Sequence, residues 1–98
     1  KIAHLGEAFG IDVEVHACGP AHRHIMSAMR NSNFYEVALV GPDCPNAVPP
    51  VYLCGYTDQL DCVDSNGFVS VPEGPGLGVV YDWDFINTNL TNKTVFGS

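Results

Sequence analysis

The sequence predicts an α/β chain built on parallel strands, and three runs predict it. Ile11, Val13 and Val15 alternate with Asp12, Glu14 and His16, the period-two signature of a strand. Pro20 to Arg30 reads as a helix, and Asn33-Phe34-Tyr35-Glu36 reads as a second short strand. A strand, a crossover helix and a second strand form a βα unit of a parallel sheet. Ligands of such sheets sit outside the carboxyl ends of the strands, where His16 and Glu36 close the two runs.

Residues 2 to 9 read as the last turns of a helix with Ile2, Leu5 and Phe9 on one apolar face, and Gly10 suits the position just past its end. In the first strand the polar set points one way. Glu14 therefore shares a face with His16, about 7 Å deeper by strand rise. Gly19-Pro20 opens the crossover helix, with proline at its first position. Ile25, Met26 and Met29 supply its apolar stripe, and Asn31 ends it. Phe34 to Val37 form the second strand, which Val37 to Val40 either extend or leave.

From Gly41 the texture changes. Pro42, Pro45, Pro49 and Pro50 exclude regular helix. Val51 to Tyr56 is a strand or an irregular apolar segment. Leu60 to Val63 and Phe68 to Val71 flank Asn66-Gly67, the strongest hairpin signal in the chain. Gly74 to Gly78 form a structural turn, because no lysine and helix follow to make a phosphate cradle. Val79-Val80-Tyr81 is a short strand, and Asp84 is placed to cap a terminal helix from Phe85 to Leu90. The expected division is residues 1–40, the final βα units, and residues 41–98, a mostly irregular segment with a hairpin and a short terminal helix.

The formal net charge is −7, with Lys1, Arg23, Arg30 and Lys93 the basic residues, which excludes nucleic acid as a partner. No apolar run approaches the ~20 residues of a membrane span, so no membrane partner is expected. Ninety-eight residues allow one small domain at most. The first residue is Lys, and an apolar helix face is already under way with no signal peptide before it, so the chain reads as the tail of a larger protein. Cys18, Cys44, Cys54 and Cys62 read as small reduced thiols of a cytoplasmic protein rather than two disulfides. The sequons at Asn89 and Asn92 carry meaning only in a secreted protein.

Ala8-Phe9-Gly10-Ile11 lead into the strand that ends in His16, Glu36 follows by 20 positions, and Val71-Pro72-Glu73-Gly74-Pro75-Gly76-Leu77-Gly78-Val79 precede Asp82 and Asp84. Together these runs resemble the end of the barrel in the enolase superfamily, and its mandelate racemase and muconate lactonizing enzyme-like branch in particular. The resemblance implies the carboxyl-terminal part of a (β/α)8 barrel, whose complete form needs about 250 residues. It implies a Mg²⁺-dependent enzyme that abstracts the proton beside a carboxylate to give an enediolate. The expected reaction is loss of water from a sugar acid, with racemisation or cycloisomerisation of a related acid as the near alternative. The magnesium ligands and a second base are expected upstream of Lys1, so no metal ligand is assigned in this chain. The partners implied are the rest of the barrel, an amino-terminal capping domain and further copies in a homo-oligomer.

His16 is the first catalytic candidate, since imidazole takes and returns protons near neutral pH. The resemblance gives it the proton beside the substrate carboxylate. Glu36 is the second: by the same resemblance it sits opposite the substrate carboxylate, where a carboxylic acid could donate a hydrogen bond to the enediolate oxygen. Glu14 and His22 are candidate substrate contacts. Glu14 could orient His16, line the pocket or pair with a cation, and His22 lies in the first turn of the helix near the pocket rim. A zinc site from His16, Cys18, His22 and His24 is disfavoured, because the spacing matches no usual ligand pattern. Cys44 could act as a nucleophile only beside a base, and nothing local supplies one. The competing class is a small independent, non-catalytic binding module built on the hairpin and the aromatic centre.

Overall fold

The computed structural model describes residues 1–37 and 51–97. The expected extension at Ala38 to Val40, the proline-rich run to Pro50 and Cys44 lie outside the described residues. The regular elements are α1 (Ile2–Ala8), α2 (Pro20–Ser27), a single 3-10 turn at Leu60–Cys62 and α3 (Trp83–Thr88).

α1 ends as expected. Phe9 and Gly10 donate backbone N–H groups to Gly6 and Glu7, and Gly10 takes φ +67°, a left-handed conformation that glycine adopts without steric cost. α2 begins with Pro20 in its first turn and is shorter than its apolar stripe suggests. Met26 is buried, Met29 is half-buried and Ile25 is half exposed.

The expected strands at 11–16 and 33–36 are corrected by the structure: among the described residues no strand forms. The two runs nevertheless lie side by side and point the same way. Val13 N–H donates to the Asn31 carbonyl at 2.8 Å. Further along, Glu14 receives the backbone N–H groups of Asn33 and Phe34, and Ala17 N–H reaches the Glu36 carboxylate. Side chains thus occupy the acceptor places that a ladder would give to carbonyls, so the pairing does not repeat. Asn31 adds a tie to α1, its amide donating to the carbonyls of Ala3 and Ile11.

The hairpin forms at Asn66-Gly67. Val63 and Val69 pair as an antiparallel bridge, and the Asp64 carboxylate receives the N–H groups of Asn66 and Phe68. A second antiparallel bridge joins Tyr52 to Tyr81. The terminal helix starts two residues earlier than expected and its cap is Asp82 rather than Asp84, with Oδ1 accepting from Phe85 N–H at 2.9 Å.

Met26 is the one buried hydrophobic residue among the described residues. Ile2, Leu5, Phe9 and Ile11, the apolar face of α1 and its continuation, are exposed, as are Phe34 and Phe68. The radius of gyration is 16.0 Å; a packed chain of this length would have about 13 Å. The apolar face of α1 and Ile11 therefore lack a partner layer within the described residues, whereas Val13 and Val15 are half-buried.

Candidate functional site

His16 and Glu36 meet. His16 Nδ1 lies 2.9 Å from Glu36 Oε2, with the imidazole 92% exposed and the carboxylate 48% exposed. A carboxylate facing Nδ1 selects the tautomer with its proton there and leaves Nε2 as the acceptor. Glu36 Oε2 also receives Ala17 N–H at 2.6 Å. An oxygen that accepts from two donors cannot give a proton at the same time. Any hydrogen bond donated by Glu36 to a substrate must come from Oε1.

The turn between the first run and α2 produces this geometry. Ala17 has φ +73°, and it is the one non-glycine residue with positive φ among the described residues. The left-handed region costs a residue with a Cβ roughly 1–2 kcal/mol. Here it aims the Ala17 N–H at Glu36. Gly19, at φ +139°, then redirects the chain into α2 and donates its N–H to the Tyr35 hydroxyl at 2.8 Å.

Glu14 does not orient His16 and pairs with no cation among the described residues. Its carboxylate receives Asn33 N–H at 3.0 Å, Phe34 N–H at 3.1 Å and the Ser32 hydroxyl at 3.2 Å. It fixes the entry to the second run. His22 is half-buried against Gly19, where an added Cβ would stand 3.2 Å from Nδ1. His24 places Nε2 3.1 Å from the Leu77 carbonyl. Among the described residues no group of three or more His, Cys, Asp or Glu side chains could hold a metal ion.

Behind the pair lies a cluster that the sequence did not announce. Arg23 on α2 and Asp58 are the two buried charged residues among those described. Arg23 Nη2 meets Asp58 Oδ1 at 2.7 Å and also donates to the Thr57 carbonyl, while Nη1 donates to the Ser70 carbonyl at 2.9 Å. Asp58 Oδ1 further accepts the hydroxyls of Tyr35 at 2.5 Å and Tyr56 at 2.9 Å. The guanidinium lies over both rings, 5.1 Å from the Tyr35 centroid and 4.4 Å from that of Tyr56. Desolvation works against the Arg23 charge, but hydrogen bonding to Tyr35 and Asp58 outweighs it and holds the guanidinium above its ordinary pKa. Burial, then hydrogen bonding to Asp58, raises the Tyr35 phenol, and burial with bonding to Tyr35 and Asp58 raises Tyr56. Burial also pushes Tyr52 up to about 12. The one sequence hint was that Arg23 stands three positions before Met26, on the same side of α2. Nothing local pointed to Asp58, 35 positions away.

Cys18, Cys54 and Cys62 are free thiols. Burial raises Cys18 and Cys62, whereas the Val80 N–H lowers exposed Cys54. A cleft of about 420 Å³ lies between α2, the second run and the hairpin, lined by Met26, Phe34, Tyr35 and Phe68 among others.

Residues 1–85 match the family described as enolase C-terminal domain-like. No curated protein and no solved structure matches the chain. The matched stretch includes the His16–Glu36 pair, the Arg23–Asp58 cluster and the hairpin.

Proposed function

This chain belongs to the enolase C-terminal domain-like family, and we propose that it supplies one proton-transfer face of an enzyme acting beside a carboxylate. His16 is the base and Glu36 its partner. The observation that carries this reading is the 2.9 Å contact between His16 Nδ1 and Glu36 Oε2 at the ends of two parallel runs. With Nδ1 holding its proton toward Glu36, Nε2 is the lone pair available to substrate.

The proposed reaction uses that arrangement. Nε2 takes the proton on the carbon next to the substrate carboxylate, and the C–H electron pair is held as the enediolate. Glu36 holds the imidazole by accepting Nδ1–H at Oε2, and in its protonated form, with the proton on Oε1, it would donate a hydrogen bond to the enediolate oxygen as charge develops. In a sugar acid the neighbouring hydroxyl then leaves, taking the proton now on His16 Nε2 to become water, and the enediolate pair forms the new C=C bond. Delivery of a proton to the opposite face of that carbon by a second base, without loss of water, would be racemisation, and product analysis separates the two. The described residues form no metal site. Mg²⁺ is proposed to be held by other parts of the complete protein, and none of these steps runs through it.

The family match supports an α/β fold for the chain, and the barrel is part of the proposal. Its other strands and a capping domain would cover Ile2, Leu5, Phe9 and Ile11, which are exposed here. A cytoplasmic setting accords with the free thiols, and among the described residues no helix is long and apolar enough to cross a membrane.

The test is His16→Asn in the complete protein. Exchange of the substrate α-proton with solvent should be abolished while magnesium binding is kept. Exchange at the wild-type rate would remove His16 from the mechanism.

A further inference from the structure

We propose that Tyr35 is a positioning residue for the His16–Glu36 pair, with its hydroxyl aimed by Asp58. The inference rests on the proposed role of that pair. The Tyr35 hydroxyl has one proton, and the short 2.5 Å contact assigns it to Asp58 Oδ1. Its oxygen is then free to accept Gly19 N–H at 2.8 Å; the 3.4 Å approach to the Gly19 carbonyl is secondary.

One side chain thus ties the start of α2 to a carboxylate from the segment after residue 51. The next residue along, Glu36, makes the matching tie to Ala17 and His16. The two links, 19 to 35 and 17 to 36, lie side by side and clamp the strained turn at Ala17 between them. Arg23 completes the frame. It belongs to the helix that Gly19 opens, and it holds the same Asp58 oxygen that Tyr35 does. Loss of the Tyr35 hydroxyl would free Gly19 N–H and let the turn at Ala17 relax. His16 would then lose its fixed direction with every reacting group still present. Misplacement of this kind lowers turnover more than it lowers binding.

Tyr56 provides the control. Its hydroxyl also donates to Asp58 Oδ1, at 2.9 Å, and its ring also faces Arg23. Its role here is to buttress the cluster. Substitution by phenylalanine removes the bond to Asp58 in each case, but only at position 35 does it also release Gly19 N–H.

The experiment compares Tyr35→Phe and Tyr56→Phe in the complete protein, by α-proton exchange, by kcat and KM, and by thermal melting. Tyr35→Phe should slow exchange and kcat about tenfold with KM within about twofold. Tyr56→Phe should also lower the melting temperature while kcat stays within about twofold. In a Glu36→Gln background, which is itself slow, Tyr35→Phe should cost less than about twofold more, because both side chains act by fixing the direction of His16. Equal losses from the two tyrosines, or a full tenfold loss that persists in the Glu36→Gln background, would overturn the inference. If His16→Asn and Glu36→Gln leave exchange intact, the reading of the pair falls and Tyr35 falls with it. If those variants abolish exchange and Tyr35→Phe is fully active, only Tyr35 is lost.

Discussion

Arg23 and Asp58 form an ion pair closed to water, Nη2 to Oδ1 at 2.7 Å, with side chains 5% and 3% exposed. It joins α2 to a residue 35 positions later. Breaking one half of such a pair strands the other charge, which costs more than the pair contributes. Arg23→Ala should therefore destabilise the complete protein by about 3–5 kcal/mol in denaturant unfolding. A loss under about 1 kcal/mol would mean that water reaches Asp58.

The tyrosines make stability pH-dependent in the alkaline range. Tyr52 stands at about 12 against an ordinary 10.0, and Tyr35 and Tyr56 are also raised. A phenol with a raised folded pKa keeps its proton in the native state while the unfolded chain has lost it. The unfolded state then binds fewer protons, so stability falls as pH rises. The contribution is whole below the ordinary value of 10.0 and is lost toward about 12 for Tyr52. Melting temperature should be flat from pH 8 to 9 and drop above about 10, with ionisation of Tyr35, Tyr52 and Tyr56 appearing together with unfolding. Ionisation of any of these three near pH 10 in a still-folded protein, followed residue by residue by NMR, would contradict this.

Asp82 is the working cap of α3, through its bond to Phe85 N–H. Asp82→Ala should cost about 1 kcal/mol, whereas Asp84→Ala should change stability by less than about 0.5 kcal/mol. Amide exchange at Phe85 reports the difference directly: it should quicken in the first variant and hold in the second.

Gly78 and Gly76 share a left-handed backbone but not a neighbourhood. A Cβ on Gly78 would stand 2.6 Å from the Pro72 carbonyl oxygen, whereas one on Gly76 meets nothing within 4 Å. Gly76→Ala should cost only the conformational penalty, roughly 1–2 kcal/mol. Gly78→Ala should cost more, because the obstacle is main chain and cannot swing away. Equal melting temperatures for the two variants would show that the loop shifts freely.

The legible parts of this chain are those with local causes. Gly10 and Pro20 mark helix ends by backbone conformation alone, and Asn66-Gly67 specifies a turn without help from distant residues. Proximity of His16 and Glu36 was readable because each closes a run and a crossover of fixed length separates them. Strand character was overestimated. Alternation at Ile11 to Val15 shows which face wants burial, but a strand also needs a neighbouring backbone that keeps pairing, and here Glu14 and Glu36 intercept the N–H groups. The α3 cap was misplaced because two aspartates stand two positions apart and both can serve. Asp58 was invisible. Its partners come from α2, the second run and Tyr56, and no periodicity links them.

The twist at position 17 sets a direction for laboratory evolution. Pressure for heat resistance alone would exchange its methyl group for hydrogen, shedding the steric load of that backbone angle. Pressure for speed would keep the methyl, which narrows the paths along which the peptide can swing. One codon would be pulled opposite ways, and a lineage adapted to hot conditions would have to retrieve its lost rigidity from the groups packed behind the loop.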